Sequence, residues 1–180
     1  MNGQETFAAS ALEAIRLGII GCGNMGGAFA RGIKYHEALN AAFSLIAYDP
    51  NERAILSMRE LGAGLAHSPA ELAAQAEIIM LAVKPQYVPG VLADIAPVLA
   101  ESARTSEGGS KVLLSIAAGV PLQKLREAVG ATCPVVRVMP NILVEAGHGL
   151  FALCFDRGGA SIGEGHKVAV RGLLAGLGHV

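Results

Sequence analysis

Three observations together predict an α/β fold of the Rossmann type, doubly wound around a mainly parallel sheet with helices on both faces. Apolar runs of strand length recur at about residues 17–21, 44–48, 77–83, 111–116 and 134–139. The stretches between them carry helix signals, and strands that alternate with helices imply parallel crossovers. The first run breaks into Gly21-Cys22-Gly23-Asn24-Met25-Gly26, a GxGxxG spacing that leads directly into a helical stripe of Ala28, Phe29 and Ile33.

In chain order, residues 1–15 lack the basic start and apolar core of a secretion signal and read as a short N-terminal extension, which leaves 16–180 as one dinucleotide-binding domain. Leu17 to Ile20 supply the first strand. The glycines after it are needed for separate reasons, Gly21 for the tight turn, Gly23 for close approach of backbone to a pyrophosphate, and Gly26 for packing of helix on strand. The helix that follows is predicted over Asn24 to Leu39, with its positive end facing the diphosphate. Ser44 to Tyr48 form the second strand, and Asp49-Pro50-Asn51 make a turn and cap before a helix over Glu52 to Leu61. Ser68-Pro69 opens a short helix, with Pro at the first position and Glu71 in the first turn. Pro85 stops the strand over 77–83, Val88 to Ala100 read as helix, and Thr105 to Ser110 as a polar loop. Val120-Pro121 starts a helix through Ala128. Asp156 to Gly165, with four glycines, is a flexible connection to a last helix over Glu164 to Leu177. No internal repeat or low-complexity tract appears.

Composition narrows the function. A 180-residue chain accommodates one full domain with an ordinary core. With 52% hydrophobic and 16% charged residues it is too apolar for disorder, and some of its surface is expected to be covered by another element or subunit. The net charge of −1, without a Lys/Arg cluster or aromatic series, disfavours nucleic acid or an anionic membrane as partner. Cys22, Cys133 and Cys154 show neither CxxC nor metal-ligand spacing, and the five histidines are scattered, so no metal site is expected and a reducing, cytoplasmic setting fits. No segment reaches 18 uninterrupted apolar residues, so no membrane span is expected.

Further candidate residues sit where strands end. Asp49, 23 residues past Gly26, either accepts hydrogen bonds from ribose hydroxyls or caps the next helix. As a ribose ligand it leans toward NAD(H), because a carboxylate repels a ribose phosphate. Asn51 and Arg53 follow at once, and an Arg there embraces a phosphate, so NADP(H) stays open. Ala82-Val83-Lys84-Pro85 closes one strand beside the switch point where doubly wound sheets bind ligands. Ser115-Ile116-Ala117-Ala118-Gly119-Val120 and Arg137-Val138-Met139-Pro140-Asn141 repeat the arrangement at the next two strand ends, with small residues that admit a flat ring and an Asn amide for substrate or nicotinamide.

GCGNMG, AVKPQ, LLSIAAGV and RVMPN, in this order and spacing across about residues 16–178, resemble pyrroline-5-carboxylate reductase. The resemblance implies reduction of the cyclic imine 1-pyrroline-5-carboxylate to proline by NAD(P)H, the last step of proline synthesis. It implies cofactor contacts at Ile20, Gly21, Cys22, Gly23, Asn24, Met25, at Ala82, Val83, Lys84, Pro85, and at Ala117, Ala118, Gly119. Met139, Pro140 and Asn141 then lie near substrate, and no protein nucleophile is required. Three departures stand out. Ile142-Leu143-Val144 replaces the Thr-Pro-Ala that commonly follows MPN in the family. Asp49 stands where NADP-using members tend to carry Ser, Thr or Asn with Arg. The sequence ends at about the point where the family's helical C-terminal domain begins, and that domain carries much of the substrate pocket, the proton donor and the dimer interface. Two other readings remain open: a related imine or hydroxy-acid dehydrogenase, and a non-catalytic dinucleotide-binding module.

Overall fold

The computed structural model describes residues 14–105, 111–130 and 133–180. Strand β1 (Ile15–Ile20) is buried from Leu17 onward and leads through the glycine turn into α1 (Asn24–Tyr35). The single helix expected to reach Leu39 breaks instead at His36. There the backbone turns extended, and the imidazole accepts a hydrogen bond from the Leu39 N–H at 3.3 Å, starting α2 (Glu37–Ala42), which buries Leu39. Next come β2 (Phe43–Tyr48), α3 (Glu52–Glu60), a two-residue β3 (Gly64–Leu65), α4 (Pro69–Gln75) and β4 (Ile78–Leu81). Ser68 caps α4 as its sequence indicates, its hydroxyl accepting from the Glu71 N–H at 3.0 Å. A 3₁₀ turn at Pro85–Tyr87 precedes α5 (Val88–Thr105), longer than the expected helix. The remaining elements are β5 (Val112–Ser115), α6 (Leu122–Val129), β6 (Val135–Met139), a 3₁₀ turn at Ile142–Ala146, β7 (Gly149–Leu150), β8 (Ala152–Phe155), α7 (Glu164–Leu177) and β9 (Gly178–His179). Of the expected N-terminal extension, residues 1–13 lie outside the described residues, as do residues 106–110 of the expected polar loop; Ile15 already belongs to the sheet.

Seven strands order as β3-β2-β1-β4-β5-β6-β8. The first six are parallel, and β8 runs antiparallel along β6 at the edge. This is the doubly wound order, whose direction of travel reverses between β1 and β4. Strand alternation sends Leu17, Ile19, Met80, Leu114 and Val136 to one face, under α1, α3 and α7, and Ile20, Ile79, Leu113 and Val135 to the other, under α4, α5 and α6. Gly18 makes the second face fit: a Cβ there would strike the Leu72 side chain and come within 2.8 Å of the Ala76 Cβ, so α4 lies directly on β1. Among the described residues no helix is long and apolar enough to cross a membrane.

Candidate functional site

The parallel register brings the ends of β1, β2, β4 and β5 to one edge: Ile20 pairs with Tyr48 and with Leu81, and Leu81 with Ser115. Backbone bonds extend the ladder one step into the loops, from Gly21 N–H to the Tyr48 carbonyl (2.9 Å), Ala82 N–H to Ile20 (2.8 Å) and Ile116 N–H to Leu81 (3.1 Å). The candidate groups at Gly21, Asp49, Ala82 and Ala117 therefore share that edge, and Met139, at the end of β6, closes the row.

The three glycines of the β1–α1 loop meet different surroundings. Gly21 has φ +95°, a conformation that L side chains rarely adopt, and a Cβ there would lie 2.8 Å from the Ala82–Val83 backbone. A Cβ on Gly26 would run into the Gly21 carbonyl, so this glycine lets α1 turn back onto the loop. Gly23 is different: a Cβ there meets no protein atom within 4 Å. Gly23 is also the N-cap of α1 and supplies no side-chain cap to the first N–H groups of this 12-residue helix. Protein packing accounts for Gly21 and Gly26, whereas the bare backbone at Gly23 fits a diphosphate drawn up against it.

Asp49 is held rather than free. One carboxylate oxygen accepts the Cys22 N–H at 2.7 Å and the other the Asn51 N–H at 2.8 Å, tying the glycine loop to the β2–α3 turn. The cap of α3 is Asn51, whose side chain accepts from the Arg53 N–H at 3.0 Å, so the capping alternative for Asp49 is not what the side chain does. The Cys22 thiol is buried behind the loop, and burial, aided by the nearby Asp49 charge, pushes it up to about 12. It therefore stays neutral and structural. Arg53, Asn24, Gly23 and Arg31 line a cleft of about 270 Å³ between α1 and α3.

At the other strand ends, Val83 is half-buried, and Lys84 and Pro85 are exposed, Lys84 leading the 3₁₀ turn. Ser115 is fully buried and its hydroxyl accepts from the Ala117 N–H at 3.4 Å, folding the chain so that Ala118 and Gly119 emerge at the surface. Asn141 differs from expectation in one respect. Its side-chain oxygen already accepts from the N–H groups of Leu143 (3.2 Å) and Leu150 (3.1 Å), so only its amide NH₂ is available to a ligand. The sequence reading missed Arg31, whose signal was a guanidinium in the middle of α1, between the small and apolar Gly26 to Ala30 and Gly32-Ile33. The guanidinium grips the Glu145 carboxylate with two bonds, Nε to Oε1 at 2.8 Å and Nη2 to Oε2 at 2.9 Å, and this pairing holds the Glu145 carboxyl below the usual carboxylate range. Among the described residues, no group of three or more His, Cys, Asp or Glu gathers as a metal site.

Residues 16–119 match the family described as NADP oxidoreductase, coenzyme F420-dependent. Pyrroline-5-carboxylate reductase 3 of Macaca fascicularis is 33% identical over 136 residues, covering 76% of this chain and 46% of that protein. Pyrroline-5-carboxylate reductase of Escherichia coli is 36% identical over 135 residues, covering 73% and 47%. The crystal structure of Plasmodium falciparum pyrroline carboxylate reductase with NADP bound superposes with a TM-score of 0.75 at 32% identity, covering 93% of this chain and 57% of that one. The chain thus spans about half the length of the curated relatives it matches.

Proposed function

The chain belongs to the family of NADP oxidoreductases described as coenzyme F420-dependent, its named relatives are pyrroline-5-carboxylate reductases, and on that premise we propose that it is the dinucleotide-binding part of an enzyme that reduces 1-pyrroline-5-carboxylate to L-proline. The observation that carries the reading is the uncapped α1 N-terminus behind Gly23, the one glycine of the motif that the protein's own packing leaves unexplained. The pyrophosphate lies against Gly23 to Met25, and the adenosine ribose against Asp49. The nicotinamide half lies toward Ala82 to Pro85 and Ala117 to Gly119, with substrate beside Met139 to Asn141. When bound, the reduced nicotinamide supplies the hydride that adds to the carbon of the C=N bond. The residues of this chain orient the two rings and expel water.

Both cofactors have a supporting group. Asp49 favours the free ribose hydroxyls of NADH, while Arg53, which makes no ion pair among the described residues, suits the extra phosphate of NADPH. We lean to NAD(H) because the Asp49 carboxylate is fixed at the strand end by two backbone N–H groups. The exposed apolar residues Met139, Ile142, Leu143 and Leu150 are read as the face that a helical domain or a second subunit covers, completing the pocket and supplying the proton. Three free thiols accord with a reducing, cytoplasmic setting. A second reading, a related imine or hydroxy-acid dehydrogenase, rests on Ile142-Leu143-Val144, which replaces the family's usual sequence beside the substrate.

The test is loss of reduced-nicotinamide absorbance on adding pyrroline-5-carboxylate, with NADH and NADPH in separate samples and dinucleotide binding measured in parallel. Binding with turnover only in a longer protein that carries the helical domain supports the first reading. Turnover of other imines or hydroxy acids, with none of pyrroline-5-carboxylate, selects the second.

A further inference from the structure

One guanidinium stands between the two halves of the site. Arg31 lies in the second turn of α1, and its Nε and Nη2 are taken up by Glu145 in the 3₁₀ turn that follows Met139-Pro140-Asn141. Its remaining nitrogen, Nη1, lies over Gly27, 3.0 Å from where a Cβ would stand, on the wall of the cleft shared with Gly23 and Asn24. The turn is seated on the same helix by fully buried Val144, whose carbonyl approaches Gly32 so closely that a Cβ there would be 3.0 Å away. Asn141 fixes the start of the turn through its two backbone bonds.

We propose that Arg31 is a positioning residue that couples dinucleotide in the α1–α3 cleft to the order of the 142–150 segment, and through it to Met139-Pro140-Asn141. The inference rests on the dinucleotide reading above. An anionic ligand in the cleft draws on the free edge of the guanidinium and fixes its plane. A fixed plane holds both bonds to Glu145, because a fork-to-carboxylate pair tolerates little rotation. Lysine keeps the charge but has no fork, so it cannot serve both sides at once.

The experiment is hydrogen–deuterium exchange of residues 142–150 in the full chain, with and without saturating NADH or NADPH, for the natural protein, Arg31→Lys and Glu145→Gln. The expected result is that dinucleotide, at a concentration that saturates each protein by its own measured affinity, slows exchange of this segment about fivefold or more in the natural protein and leaves it nearly unchanged in both variants, Arg31→Lys needing more ligand to saturate. Two results overturn the proposal: bound dinucleotide that leaves exchange unaltered in the natural protein, or variants that keep the full slowing. The second result is that of a merely structural pair, whose removal speeds exchange by the same factor in the free and bound states and so leaves the slowing by dinucleotide intact. Absence of any binding by the natural protein removes the dinucleotide reading itself, and is told apart by the binding measurement in the same samples.

Discussion

Gly23 and Gly26 are alike in the motif and opposite in surroundings, and that difference makes the site testable residue by residue. A Cβ on Gly23 meets no protein atom within 4 Å, so Gly23→Val should cost only the loss of a good N-cap residue, about 1 kcal/mol in a denaturant titration, while dinucleotide affinity falls about 100-fold or more. Gly26→Ala drives a methyl into the Gly21 carbonyl and should cost about 1–3 kcal/mol of stability whether or not ligand is present. Asp49→Asn keeps an acceptor for the Cys22 N–H and removes the charge, and should raise affinity for NADPH relative to NADH about tenfold; an unaltered ratio would reduce Asp49 to a loop tie. Cys22 and Cys133, both buried and pushed up to about 12, should resist iodoacetamide in the native protein, while exposed Cys154 is alkylated. The glycine spacing and Asp49 were legible in the sequence because their chemistry is local. The bond from Asp49 to Cys22 and the grip of Arg31 on Glu145 were not, since they join residues 27 and 114 positions apart.

Elements were most legible where burial is two-sided. The runs read as β1, β4, β5 and β6 are continuous apolar segments because parallel strands are covered on both faces, and the structure places each within a few residues of its expected bounds. Strand β8 escaped notice because it is an antiparallel edge strand of only four residues, with no buried apolar run to mark it. The first helix looked continuous through Leu39 because its apolar stripe does continue; the break comes from the His36 side chain capping α2, which periodicity does not report. Close seating of α4 on β1 depends on Gly18, so Gly18→Val should destabilise the fold by about 1–3 kcal/mol in thermal or chemical melts. The Arg31–Glu145 pair ties the 3₁₀ turn after β6 to α1, beside buried Val144 and the two Asn141 bonds. Because the folded-state carboxyl of Glu145 is lowered, the pair's contribution is complete above the ordinary carboxylate range and is lost as pH falls through that lowered value. After correction for the slower intrinsic exchange at low pH, protection of the 142–150 amides should therefore fall on acidification in the natural protein and much less in Glu145→Gln.

On the scale of the whole molecule, two apolar layers sandwich the seven-stranded sheet, and its six parallel strands end together along one edge. The doubly wound, mainly parallel sheet with helices on both faces was legible in the sequence because strands alternate with helices along the chain. Met139, Ile142, Leu143 and Leu150 are exposed, and no pattern within the chain distinguishes an apolar surface that meets a partner from one that meets water. The central claim is that the bare N-terminus of α1 exists to hold a dinucleotide. Its most direct test is a calorimetric titration of NADH and NADPH into the chain and into Gly23→Val, with folding of both checked by circular dichroism. The account predicts saturable one-to-one binding by the natural chain and its loss in an equally folded variant. Equal affinity in the two proteins, or no binding to the natural chain, would contradict it.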